Sequence, residues 1–85
     1  MSYEVRLKKS AEKELSDLPA KVHDRVVRQL LDLKNEPRPP GIKKLRGREG
    51  YRLRVGDYRI LYVVDDALKI VDVYSVAHRR EVYRR

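Results

Sequence analysis

There is no cysteine in this 85-residue chain, so neither a disulfide nor a thiolate metal site can hold it together. The fold has to stand on packing alone, in a single domain (residues 1–85) small enough that its core is thin. Phenylalanine and tryptophan are absent too. Six tyrosines supply all the aromatic surface, and tyrosine can both pack and hydrogen-bond. No apolar run approaches the roughly 18 residues of a membrane-crossing helix. The first residues carry no signal-peptide pattern, so a cytoplasmic location with no membrane partner is expected. Acids are scarce: 13 Asp and Glu stand against 21 Lys and Arg, for a formal net charge of +8 and a pI near 10.0. A small domain this basic meets a polyanion, either nucleic acid or an acidic protein partner. The apolar content of 41% is adequate for a globular fold, so the charge is not that of a disordered tail.

Familiar catalytic motifs are missing as well. The chain has no Walker loop, no glycine-rich dinucleotide fingerprint and no metal-ligand cluster, so no cofactor and no metal is expected. Ser10 and Ser75 lack the context of a nucleophilic triad, and no pair of acids stands out for glycoside hydrolysis. His23 reads as a surface histidine.

What is present centres on residues 51–64. Tyr51, Leu53 and Val55 alternate with Arg52 and Arg54, the period of a strand with two unlike faces. Gly56-Asp57 is a two-residue hairpin loop, and a second strand runs from Tyr58 to Val64. If Val55 and Tyr58 flank the turn, Arg54 opposes Arg59 and Leu53 opposes Ile60. One face is then apolar (Tyr51, Leu53, Val55, Ile60, Tyr62), and the other carries Arg52, Arg54 and Arg59. Directly opposed like charges cost roughly 0.2–1 kcal/mol, so the hairpin gains no stability from its arginine pair. Two readings follow. The face holds something anionic, phosphate above all, or it is a solvated face whose arginines fan apart or pair with Asp72 or another acid.

The rest of the chain supports that hairpin. Tyr3, Val5 and Leu7 alternate as a first strand. Ser10 is placed to cap a helix running to about Leu18, and Pro19 to open a second helix running to about Asn35. Val22, Val26, Leu30 and Leu33 form the stripe of the second helix, widened by Val27 and Leu31. The Pro37-Arg38-Pro39-Pro40-Gly41 connector is stiff, and the basic run Lys43-Lys44-Leu45-Arg46-Gly47 leads into the hairpin, as a solvated loop or as the edge of an anion-binding groove. Leu68 to Ala77 reads as a strand buried on both faces. The expected fold is α+β in the order β-α-α-β-β-β, with the helical hairpin on the apolar face of an antiparallel sheet and the basic face left open.

These parts suit RNA. Arginines can hold a scissile phosphate and stabilise transition-state charge. Tyrosines can stack on unpaired bases, and RNA carries its own nucleophile in the 2′-hydroxyl. Three segments then carry a resemblance: Lys44-Leu45-Arg46-Gly47, Tyr51-Arg52-Leu53-Arg54 with Gly56-Asp57-Tyr58-Arg59-Ile60-Leu61-Tyr62, and Val76-Ala77-His78-Arg79-Arg80-Glu81-Val82-Tyr83. In these, and in the order of its elements, the chain resembles the RelE/ParE superfamily of toxins, the RelE branch most of all. The resemblance implies an mRNA endonuclease that cuts in the ribosomal A site without a metal. Its implied partners are the ribosome and mRNA, a cognate antitoxin, and operator DNA only through that antitoxin.

The resemblance also assigns roles. Arg52 and Arg54 fall where RelE-type enzymes often carry catalytic lysines, and Arg59 matches their phosphate-binding arginine. Arg79 matches the arginine that serves the leaving group, Tyr83 the tyrosine that stacks on the base, and Arg46 an auxiliary basic position. Lys43, Lys44 and Arg80 complete the expected RNA-binding set. Arginine cannot act as a base, since its pKa exceeds about 12. His78, with an unperturbed pKa near 6.5, is therefore the expected partner in proton transfer. Two alternatives differ in class: a ParE-type poison of DNA gyrase, and a basic binding module without catalysis.

Overall fold

The structure is a computed structural model and describes residues 2–82. In chain order it contains β1 (Glu4–Leu7), α1 (Lys9–Ser16), α2 (Ala20–Leu33), β2 (Lys43–Lys44), β3 (Tyr51–Val55), β4 (Tyr58–Asp65), β5 (Ile70–His78) and α3 (Arg79–Val82). No helix among the described residues is long and apolar enough to cross a membrane. The strands make one sheet in the order β1-β5-β4-β3-β2.

The sheet is mixed where an antiparallel one was expected, because β1 runs parallel to β5. The topology explains this. The helical hairpin and the proline connector carry the chain to the far edge, where β2 runs opposite to β1. Three antiparallel reversals through β3 and β4 then bring β5 back beside β1 in the same direction. The expected loop at Lys43-Lys44 is a short edge strand, with Lys43 opposite Arg52 and Lys44 opposite Tyr51.

The helices cover one face. Ala11 of α1 and Val26, Leu30 and Leu33 of α2 pack on Leu53, Val55, Ile60, Tyr62, Val71, Val73 and Val76, all buried. Of the expected α2 stripe, Leu31 departs: it is 56% exposed, on the flank that meets solvent. The helix ends also shift. β1 stays in register through Lys8, whose N–H donates to Val73 O (2.9 Å), and the chain turns straight into α1 from there. Lys8 is therefore the residue before the helix, and Ser10 lies inside it. Pro19 stands one residue ahead of α2, its φ of −55° already suited to the turn. β5 begins at Ile70, two residues later than expected. Asp65 accepts from the Leu68 N–H, and Lys69 takes a left-handed φ of 57°, so Leu68 sits out in the turn.

Two details position the site. A β-bulge interrupts the β4–β5 ladder: Leu61 opposes Ser75 but Tyr62 opposes Val73, leaving Tyr74 as the extra residue. Beyond the bulge, β5 has no β1 neighbour, and the Glu14 carboxylate of α1 accepts the Val76 N–H instead (3.1 Å).

Candidate anion-binding face

The hairpin register is the one read from the sequence, with Arg54 opposite Arg59 and Leu53 opposite Ile60. The turn closes because Gly56 adopts φ +59°, open to glycine at little cost. Its carbonyl is the focus of the site. Arg54 Nε donates to Gly56 O at 3.3 Å, and Arg59 Nη1 donates to the same oxygen at 3.2 Å and to Tyr58 O at 3.1 Å. Arg54 is exposed, but Arg59 is 7% exposed, held between β3 and β5 with the small Ala77 opposite it. Among the described residues no carboxylate forms an ion pair with either one. Asp72, a candidate partner on sequence grounds, stands opposite Arg6 in β1 instead. A buried cation is normally paired, because carbonyl dipoles replace only part of its lost hydration.

Other cations gather around this pair. Arg52 shares the face by alternation and is half-buried, with Lys43 directly across from it and exposed. The Arg79 N–H donates to Asp57 O (2.8 Å), which ties the start of α3 to the hairpin turn. Arg79 and Arg80 are exposed there. From the other side of the turn, Arg25 of α2 brings its guanidinium to 3.4 Å of where a side chain on Gly56 would begin. Nothing in the local sequence marks Arg25, since only the helix packing brings it to the turn.

Three expected residues stand elsewhere. Lys44 opposes Tyr51 and so shares the other face, where it lines a small hollow with Arg38 and Glu49. Arg46 lies in the exposed loop between β2 and β3. His78 is opposite Tyr58, which shares the helix-covered side with Ile60 and Tyr62, and its ring meets Tyr58 edge-on at 5.4 Å. There it lines a hollow of about 240 Å³ with Glu14, Asp17 and Leu18. His78 is thus not brought to Arg54 and Arg59, and the bulge is the reason. Counted without interruption, residue 78 falls on the face of Asp72; the extra residue at Tyr74 moves it to the face of Val76. Tyr83 lies outside the described residues.

The far end of the sheet holds a contrasting arginine. Arg38 in the proline connector makes two hydrogen bonds to Asp66 (3.1 and 2.9 Å) and a third to Tyr51 Oη (2.9 Å), while Tyr3 Oη donates to Asp66 at 2.7 Å. The Arg38 hydrogen bonds, then that from Tyr3, hold the Asp66 carboxyl down to about 2. Tyr62 Oη donates to Pro37 O (2.8 Å), and burial, then the neighbouring Tyr51, pushes its hydroxyl up to about 12.

Two helices cover one face of a five-stranded mixed sheet, and on the other Arg54 and Arg59 face each other without an acid partner among the described residues. This is the architecture of a class of small toxin domains. The chain matches the family described as "ParE toxin of type II toxin-antitoxin system, parDE" over residues 5–83. It is 37% identical to "Toxin RelG" of Mycobacterium tuberculosis across the full length of both chains. It is 33% identical to "Putative toxin RelE1" of Methanocaldococcus jannaschii over 99% of this chain and 98% of that one. Among solved structures, it superposes on the toxin of the RelBE2 toxin–antitoxin complex from M. tuberculosis with a TM-score of 0.81 at 35% identity, covering 93% of this chain and 100% of that one. The archaeal RelE–RelB complex of Pyrococcus horikoshii gives 0.83 at 32% identity, covering 93% and 97%. The chain belongs to the ParE toxin family. Within it, the protein is a RelE-type toxin of a type II toxin–antitoxin module.

Proposed function

We propose that this toxin is a metal-independent endoribonuclease that cuts mRNA in the ribosomal A site, and that a cognate antitoxin holds it inactive. The observation that carries the reading is Arg59, 7% exposed, facing Arg54 and held only by carbonyl oxygens among the described residues. A phosphate supplies the missing counter-charge, and its oxygens suit the guanidinium fork. In the reaction the 2′-oxygen bonds to the adjacent phosphorus and the bond from phosphorus to the 5′-oxygen breaks. The products are a 2′,3′-cyclic phosphate and a 5′-hydroxyl end. Arg54 and Arg59 meet the charge that grows on the equatorial oxygens. Arg79 stabilises the leaving oxygen while water protonates it, and solvent hydroxide takes the 2′-hydroxyl proton. His78 stands across the sheet, outside the reach of this chemistry.

Primer extension on mRNA, with and without programmed ribosomes, tests this directly. Discrete cuts within the A-site codon that require ribosomes uphold it. No cuts from folded protein would refute it. The ParE description of the matched family favours one second reading, a gyrase poison, for which DNA supercoiling is the assay.

The antitoxin reading is supported by the solved relatives, several of them complexes of RelE with RelB. This chain offers a groove of about 680 Å³ between the helices and β1, where Leu31 and Leu68 stand 56% and 68% exposed. An amphipathic antitoxin segment fits such a groove, with its acidic groups meeting the arginines. Operator DNA is then contacted through the antitoxin alone.

A further inference from the structure

The loop between β2 and β3 folds back over the open face of the sheet. The Leu45 N–H donates to Gly50 O at 3.0 Å, and Gly50 is pressed so close to β4 that a Cβ there would lie 2.6 Å from Tyr62 O. This anchoring lets Arg48, itself exposed, reach across β4 and lay its guanidinium over the Tyr74 ring, 4.8 Å from the centroid. Tyr74 is the bulge residue. It follows the core residue Val73 and so turns to the open face, beside the row that runs from Arg52 through Leu61 to Ser75. Two strand spacings, about 10 Å, separate that part of β5 from Arg52.

Tyr74 carries a second oddity. Its hydroxyl is buried and has no hydrogen-bond partner among the described residues. An unpaired buried hydroxyl destabilises the free protein, and native structures rarely keep one without a reason. Burial raises its pKa, partly offset by the nearby Arg48 charge. An aromatic ring capped by a displaceable cation has the parts of a nucleotide site: a plane for the base and a cation for its phosphate.

We propose that Arg48 and Tyr74 form a second RNA subsite on the open face, flanking the arginine cluster, in which a base takes the place of Arg48 on the Tyr74 ring and Arg48 moves to the neighbouring phosphate. The inference rests on the RNA reading above and adds residues that hold the substrate beside the cut. Neither side chain touches the reacting atoms. Their effect is on binding, and on which base is tolerated beside the cleaved bond.

The test is steady-state cleavage of mRNA on programmed ribosomes by wild type, Tyr74→Leu, Tyr74→Phe, Arg48→Gln and Arg59→Ala, each checked for folding by thermal melting. Tyr74→Leu and Arg48→Gln are expected to raise KM by about ten-fold with kcat retained, the scale of one lost base stack. The two effects should not add, because the pair acts as one subsite. Tyr74→Phe, which keeps the ring, should raise KM less than Tyr74→Leu. KM values at the wild-type level in both Tyr74→Leu and Arg48→Gln, while Arg59→Ala loses cleavage, would overturn the subsite and leave the RNA reading standing. Absence of cleavage by wild type would overturn both together.

Discussion

Arg38 and Arg59 are the same side chain in two opposite settings. Arg38 is matched hydrogen bond for hydrogen bond by Asp66 and Tyr51, and its charge is cancelled where it stands. Arg59 is the more buried of the two, yet among the described residues its guanidinium donates only to the carbonyls of Gly56 and Tyr58, and it faces another arginine. The first is a fastening. It ties the proline connector to the β4–β5 turn and, through Tyr3, to the start of β1. The second leaves its charge unspent. Burial alone does not tell the two cations apart; what differs among the described residues is the counter-ion, present for Arg38 and absent for Arg59.

Substitutions can break that contrast. Arg59→Ala has the largest expected effect, a loss of cleavage of about 10²–10³-fold on ribosomes, the scale of removing one oriented group that stabilises transition-state charge. Melting should fall only slightly, because relief of the like-charge pair offsets part of the packing lost with the buried stem. A large fall in melting temperature would mean that Arg59 is a fastening as well. Gly50→Ala should come next, at about 1–3 kcal/mol of stability in chemical denaturation, from a φ of +119° and the 2.6 Å approach to Tyr62 O. Arg38→Ala should lower the melting temperature by a few degrees and leave cleavage intact, the reverse of Arg59→Ala.

The acid limb sharpens the same contrast. The folded pKa of Asp66, about 2, lies below its unfolded value near 3.9. The stability it contributes is therefore present above pH 4 and lost as pH falls from about 4 toward 2. Asp66→Asn should flatten that limb in a series of melts. Tyr62 works the other way. Its folded pKa of about 12 exceeds the unfolded value near 10, so its contribution holds below pH 10 and drains away between about 10 and 12. The smallest effect belongs to His78→Gln, which should change neither the cleavage rate nor its pH profile. A changed rate or an altered profile would put the imidazole back in the reaction.

Much of this face was legible in the sequence, because alternation and a Gly-Asp turn fix a hairpin register with only local information. Tyr51 to Tyr62 therefore came out with the right partners. The remainder depended on contacts between distant segments. Nothing local tells β1 to run beside β5, and two lysines are too few to announce β2 as a strand. Arg25 reaches the hairpin turn only through the packing of α2, and Arg48 finds Tyr74 only because the loop folds over the sheet. The bulge is the most instructive case. One extra residue at Tyr74 reverses the parity of every side chain after it, and so decides on which side of the sheet His78 stands.

Glu14 has a consequence for how copies of this chain meet one another. The outer half of β5, past the end of β1, would otherwise present bare backbone donors, the template along which unrelated strands add and aggregates grow. A carboxylate seated on the Val76 N–H occupies that template and sets a negative charge at the rim. The same contact works against edge-to-edge pairing of two copies of this chain along that rim.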